Sequence, residues 1–451
     1  MPFIPNTDAD RTELLEAIGV KSIGELFENI PAELRLTDEL PVPPGVSEDE
    51  LMRELSELAS WNSTPDKGSF LGGGMYRHYI PAVVGALQSR QEFVTAYTPY
   101  QPEASQGTLT AFFEFQTMVA ELLGMEVANA SMYEGCSAVT EAVFMAMSLN
   151  AKRGKVVVSA GLHPHTLRTL ATTQRWTRLE IVQAPLGPNG RTDLAGLLDE
   201  DTCAVVIQSP NFAGVIEDLP ALAGAAADAG ALSICSAYPI ACGLLQSPGE
   251  AGFDVAVGDG QSLGVPVQFG GPSFGLFATR QKFVRKMPGR IVGQTVDHKG
   301  RRGFTLTFQT REQHIRRAKA TSNICTNNAL MALRGAIYLA AAGPEGLREV
   351  AEHSLAKAQY AATEIAKIPG FELCFPDAPF FNECAVRCPV SAQEVNRAID
   401  ACAMLGGVDL AAFCPKLGEN TLLLAFTELT ERAQIDRLLR TLSSLSQTVA
   451  V

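Results

Sequence analysis

The chain has 451 residues, 46% of them apolar, enough to bury one large core and a smaller one, so two folded domains are expected besides any arm. Lys and Arg number 36 against 49 Asp and Glu, and the net charge of −13 argues against nucleic acid or an anionic membrane surface as the main partner. No run of about 18 uncharged apolar residues could span a membrane, and ten cysteines without a C-x-x-C read as reduced, buried thiols, not as disulfides or a zinc site. The start, MPFIPNTDADR, lacks the basic segment and apolar core of a secretory signal, so a cytoplasmic protein is expected.

In chain order, residues 1–60 read as a helical arm. Ser22…Glu25 and Ser47…Glu50 both fit the capping box, Gly19 and Pro31 are stops, and Leu51, Leu55 and Leu58 share a face at helical spacing. The stretch Ser69–Pro81 carries three successive glycines, Gly72, Gly73 and Gly74, which permit close backbone approach; it reads as an active-site loop or as a bend. A polar aromatic loop follows, Tyr97-Thr98-Pro99-Tyr100-Gln101-Pro102-Glu103. Then Leu109, Phe112, Phe113, Gln116, Val119, Ala120 and Leu123 line one face of a helix ending at Gly124. The small-residue turn Tyr133–Ala138 precedes another helix, 139–149, and suits either helix packing or an anion at a helix start.

From Lys155 onward the pattern alternates strand and helix: KVVVSA, EIVQAP, CAVVIQS, ALSICSA, FDVAVG and FGLFAT. Short apolar strands separated in this way predict a mostly parallel sheet covered on both faces. His163 and His165 follow the first of these strands, but no carboxylate or cysteine lies at ligand spacing, so they read as surface or satisfied histidines. Arg285–Lys319 holds ten Lys or Arg against two acids, which suits either a solvated face or a landing site for an acidic partner. Beyond Gly343, FELCF, NECAVRCP and TLLLAF interleave with helices over 391–404 and 429–446, predicting a small α+β domain. The expected boundaries are 1–60 for the arm, 61–325 for the large domain and 326–451 for the small one.

The stretch Phe253–Arg280 organises the rest. Gly258, Gly260 and Gly264 after a strand imitate a dinucleotide fingerprint, yet Pro266, Gly270, Gly271 and Pro272 leave no helix to face a pyrophosphate. GDGQSLGVPVQFGGPSFG instead resembles GDGQxLGxPxxxGGPxxG of subunit 1 of the glycine cleavage system P-protein. The family's SFLGxGxYxHYIP is similar to Ser69–Pro81, its RxKATSNICTNxAL to Arg317–Leu330, and its first helices to LLEAIGVKSIGELFENIPAELRL.

The resemblance implies the fold of pyridoxal-phosphate (PLP) enzymes of the aspartate-aminotransferase type, fold type I. It also implies a role in glycine dehydrogenase (decarboxylating). Matching Pro266 to the subunit 2 pattern HKTFxxPHGGGGPG places Gln261 at the Schiff-base lysine position, where an amide cannot form an imine. Ser236 falls where such enzymes carry the aspartate that keeps the ring nitrogen protonated. Lys282, Lys286 and Lys299 look solvated and poorly suited to replace the lysine. The implied picture is a cofactor-less subunit with no covalent PLP and no metal. A homologous subunit 2 carries PLP, in an α2β2 complex, and the aminomethyl group of glycine passes to lipoylated H-protein. Tyr97, Tyr100 and Glu103, with Thr321, Ser322 and Thr326, are the candidates to complete the partner's site. A purely structural subunit, and a self-sufficient PLP aminotransferase or lyase, are the alternatives.

Overall fold

A computed structural model describes residues 6–36, 40–62, 67–268, 270–320, 322–414 and 417–449. The chain divides into two units, residues 1–64 and 65–451.

In the first unit, α1 (Asp8–Ile18) opens on a capping box of Thr7 and Asp10 and stops at Gly19. Helix α2 (Glu48–Ser60) uses the expected Ser47 and Glu50 box. The other expected box does not close. Ser22 precedes only a 3-10 turn, Ile23–Phe27, and makes no cap bond; Glu25 takes the Lys21 N–H instead. Leu51, Leu55 and Leu58 remain about half exposed.

The second unit starts with α3 (Ala82–Gln88), α4 (Gln91–Val94) and α5 (Gln106–Leu123), the last ending at Gly124 in the left-handed conformation. Next come β1 (Val127–Ala128), α6 (Gly135–Leu149), β2 (Lys155–Ser159), α7 (Pro164–Gln174) and β3 (Glu180–Ala184). The chain continues through β4 (Thr202–Ser209), α8 (Leu219–Asp228), β5 (Leu232–Ala237), β6 (Val255–Asp259) and β7 (Gly275–Thr279). These strands form one seven-stranded sheet, in the order β1-β7-β6-β5-β4-β2-β3. Strands β2 to β6 are parallel, and β7 runs antiparallel to both of its neighbours.

Both faces of the sheet are covered, which is why its strands read as continuous apolar runs. Alternation along the pleat still sorts them. Ala256 joins Phe115, Cys235 and Leu276 on one face, while Val255 and Val257 join Val139, Ile234 and Phe277 on the other.

A hairpin of β8 (Ile291–Val296) and β9 (Arg302–Thr307) follows, turning at Asp297–Gly300, and then the single turn α9 (Gln313–Arg316). This hairpin lies inside the basic stretch. Helix α10 (Ala329–Ile365) is interrupted at Gly343, before Pro344. It leads to β10 (Glu372–Leu373), β11 (Glu383–Arg387), α11 (Ala392–Asp400), β12 (Val408–Asp409), β13 (Thr421–Ala425) and α12 (Arg432–Val449). The four strands form an antiparallel sheet ordered β10-β11-β13-β12. Its core joins Val386 and Leu424 to Val395, Ile435 and Leu438 of the last helices.

Candidate functional site

A cavity of about 640 Å³ opens beyond the carboxyl ends of β4, β5 and β6, where parallel α/β sheets place their ligands. The glycine-rich stretch, the start of α6, His163 and the first residue of β11 close it. Ser236 lines the cavity; Gln261 does not.

Gln261 is buried, and backbone groups occupy its whole amide. Its Oε1 accepts the Tyr76 N–H at 2.9 Å, and its Nε2 donates to the carbonyls of Tyr76 (3.0 Å) and Val265 (2.7 Å). It therefore pins the glycine-rich stretch to the loop after β6. Glu383 pins the same stretch from the other side, taking the Gly73 N–H and the Tyr76 hydroxyl, each at 2.7 Å. Gly72 permits this approach, because a Cβ there would lie 2.3 Å from Glu383 Oε1. Burial raises the Glu383 carboxyl to about 7, against these two hydrogen bonds.

Helix α6 starts with its free N–H groups aimed toward the cavity, as an anion site would. Here the chain's own carboxyls take them. Asp259 accepts the Gly135 N–H at 3.0 Å, and Glu134 caps the Ser137 N–H at 3.2 Å. Gly135 has no room for a side chain, since a Cβ would sit 3.0 Å from the Asp259 Cβ. Asp259 also accepts from the Gln261 N–H and the Ser273 hydroxyl, and burial lifts its pKa above the usual carboxyl range. Among the described residues lining the cavity there is no Lys or Arg. A PLP phosphate at this helix start would face two acidic groups and no cation, so this cavity does not suit PLP.

His163 stands over the cavity as a neutral ring. Its Nδ1 accepts the His165 N–H, so Nε2 carries the proton and donates to the Gly73 carbonyl at 2.9 Å. Burial lowers its pKa to about 4. Behind Tyr76, the His78 ring bridges Glu428 (2.6 Å) and the Tyr238 hydroxyl. Burial alone would raise Glu428, but His78 and the Tyr79 N–H hold it below the usual range.

The interface candidates divide. Tyr100 and Thr326 meet at Arg290: its guanidinium donates to the Tyr100 hydroxyl at 3.0 Å and to Thr326 Oγ1 at 3.2 Å. Tyr97 and Thr326 line a separate pocket of about 180 Å³ beside it. Asn327 lines that pocket and Asn328 lines the large cavity, so the start of α10 separates the two. Glu103, in a 3-10 turn, is exposed and lines neither. Ser322 caps the Ile324 N–H and bonds Glu141, which burial raises to about 6. Thr321 lies outside the described residues. Sequence reasoning missed Arg290, Glu383 and Asp259. Glu383 had a signal, a carboxylate heading the buried apolar run Cys384–Val386.

Residues 1–442 match the family described as glycine cleavage system P-protein. A probable glycine dehydrogenase (decarboxylating) subunit 1 from Thermomicrobium roseum is 49% identical over 446 residues, 98% of this chain and 99% of that protein. One from Chlorobium luteolum is 48% identical over 450 residues, 99% of this chain and all of the relative. A crystal structure of glycine decarboxylase (P-protein) of the glycine cleavage system, in inhibitor-bound form, superposes with a TM-score of 0.90 at 46% identity. It covers 99% of this chain and 100% of its own. At 13% identity, a NifS-like protein shares the fold alone, with a TM-score of 0.64 over 84% of this chain and 99% of that one. The chain belongs to the glycine cleavage system P-protein family, on its subunit 1 branch, with the α/β architecture of fold type I enzymes.

Proposed function

We propose that this chain is the cofactor-free half of a heteromeric, cytoplasmic glycine dehydrogenase. A homologous subunit 2 carries PLP and decarboxylates glycine, and the aminomethyl group passes to the lipoyl arm of H-protein. This chain completes an α2β2 assembly and presents Tyr97, Tyr100, Glu103, Thr321, Ser322 and Thr326 toward its partner's site. On this reading Gln261 and Ser236 stand where lysine and aspartate would hold the cofactor, and the chain is inactive alone.

One observation carries the reading. The amide of Gln261 is committed to three backbone groups, while Asp259 and Glu134 take the helix N–H groups that a phosphate would need. An amide is no imine-forming nucleophile, and two acidic groups compete with a dianion. The basic stretch is proposed as the H-protein landing face. Arg302, Arg316, Arg317 and Lys319 are exposed, and none has a carboxylate partner among the described residues, although Arg301 pairs with Asp297.

The test is the visible spectrum of the purified chain with PLP, alone and with its partner, followed by borohydride reduction and peptide mapping. The expected result is label on the partner only. Stoichiometric labelling of one lysine of this chain would overturn the proposal.

A further inference from the structure

The pocket of about 180 Å³ beside α5 and α10 is built around a charge with no counter-charge. Arg290 is 5% exposed. Its partners are the Tyr100 hydroxyl, Thr326 Oγ1 and the Cys325 carbonyl, all neutral, and its Nε has none. The Tyr100 ring, 5.4 Å from the guanidinium carbon, adds a cation–π contact. Among the described residues no Asp or Glu pairs with it. Dipoles and one ring solvate a guanidinium less well than an anion does, so a buried arginine without a carboxylate is costly.

The walls indicate which anion would complete it. Thr98, Thr326 and Asn327 add polar groups to the lining, whereas Phe112, Leu306 and Ala329 are apolar. A recess of about 50 Å³ shares Ala96, Tyr97, Phe112 and Ala329 with the pocket and extends it between apolar side chains. One cation balances a single negative charge, and apolar walls have nothing to offer the further oxygens of a dianion. A carboxylate with a short aliphatic tail meets both conditions: its charged end suits Arg290 and its tail suits the recess.

We infer that this pocket is a binding site for a small carboxylate, which supplies the counter-charge of Arg290. The bound group also stiffens the contact between the aromatic loop at Tyr100 and the segment before α10, because Arg290 already joins them. The inference does not depend on where PLP is held.

The test uses the full-length chain at constant ionic strength, replacing chloride with formate, acetate or phosphate. Saturation-transfer NMR on acetate and the thermal midpoint are the readouts. Acetate is expected to bind saturably and raise the midpoint, with formate weaker and phosphate no better than chloride. Arg290→Gln should weaken acetate binding at least about tenfold, the loss expected when a buried charge pair is broken. Ala329→Leu, which fills the pocket and leaves Arg290 in place, should do the same, and keeps the inference testable if Arg290→Gln does not fold. Equal response to acetate and chloride, or acetate binding that survives Ala329→Leu, would overturn it. Repeating the titration with the partner subunit identifies the source. Acetate lost on assembly means that a carboxylate of the partner fills the site; acetate retained means a free ligand.

Discussion

Gln261→Leu is the sharpest test of what holds the glycine-rich stretch in place. Leucine keeps nearly the same volume, so the packing changes little and the hydrogen bonds are isolated as the variable. The change strips partners from the Tyr76 N–H, the Tyr76 carbonyl and the Val265 carbonyl. An unmet buried polar group costs about 1–3 kcal/mol, and partial relaxation toward the cavity lets some of the three find water. The expected loss is therefore about 4 kcal/mol, a large share of the roughly 5–15 kcal/mol that holds a domain together. Gln261→Lys should cost no less: its ammonium could donate to both carbonyls, but it would be buried without a counter-charge and would leave the Tyr76 N–H unmet. The assay is urea unfolding followed by far-UV circular dichroism; the two tryptophans, Trp61 and Trp176, are exposed and report poorly on this region. A loss below about 1 kcal/mol for Gln261→Leu would refute the reasoning, because neutral replacement is the outcome only when the backbone groups are already satisfied elsewhere.

Glu383, raised to about 7 by burial, binds its proton more tightly folded than unfolded. Its contribution is full below the unfolded pKa near 4.5 and is lost as pH rises through about 7, a change of up to about 3 kcal/mol. Urea midpoints at pH 5 and pH 8 should show that slope in the native chain and a flatter one in Glu383→Gln; equal slopes refute it. In the assembled enzyme, Tyr100→Phe and Thr326→Val should each cost at least about tenfold in glycine decarboxylation, about 1.4 kcal/mol, with assembly intact. Normal turnover in both would make the chain a scaffold. Reversing Arg302 and Arg317 to Glu should slow association with H-protein and flatten its dependence on salt. An unchanged rate at low salt would return the stretch to a solvated face.

The central sheet was legible because its signal is local. Six apolar runs become β2 to β7 with ends within two or three residues, and Gly124 stops α5 as a terminal glycine should. The β8–β9 hairpin was present in the sequence too: Phe304 and Leu306 alternate with partly exposed neighbours. Its basic residues drew the reading toward charge and away from pleat. The site was less legible because its bonds are non-local. Glu383 meets Gly73 across 310 positions, and Gln261 meets Tyr76 across 185. Arg290 reaches Tyr100 across 190. No spacing rule links residues so far apart. That position 261 holds an amide, which cannot form an imine, could be read from the sequence, but what the amide does could not.

The acidic pair at the start of α6 bears on how two homologous chains can divide one task. On the proposed reading, regaining a cofactor takes more than Gln261→Lys and Ser236→Asp. The helix start would still present Asp259 and Glu134 to a phosphate, and Asp259 cannot simply be removed. It holds the N–H groups of Gly135 and Gln261 and the Ser273 hydroxyl, so replacing it first loosens the loop that must carry the new lysine. Inserting the lysine first leaves the Tyr76 N–H unmet and gains no phosphate site. Neither of these two steps alone is free of cost to the fold. On that reading the helix start, and not position 261 alone, sets what cofactor binding by this chain would require.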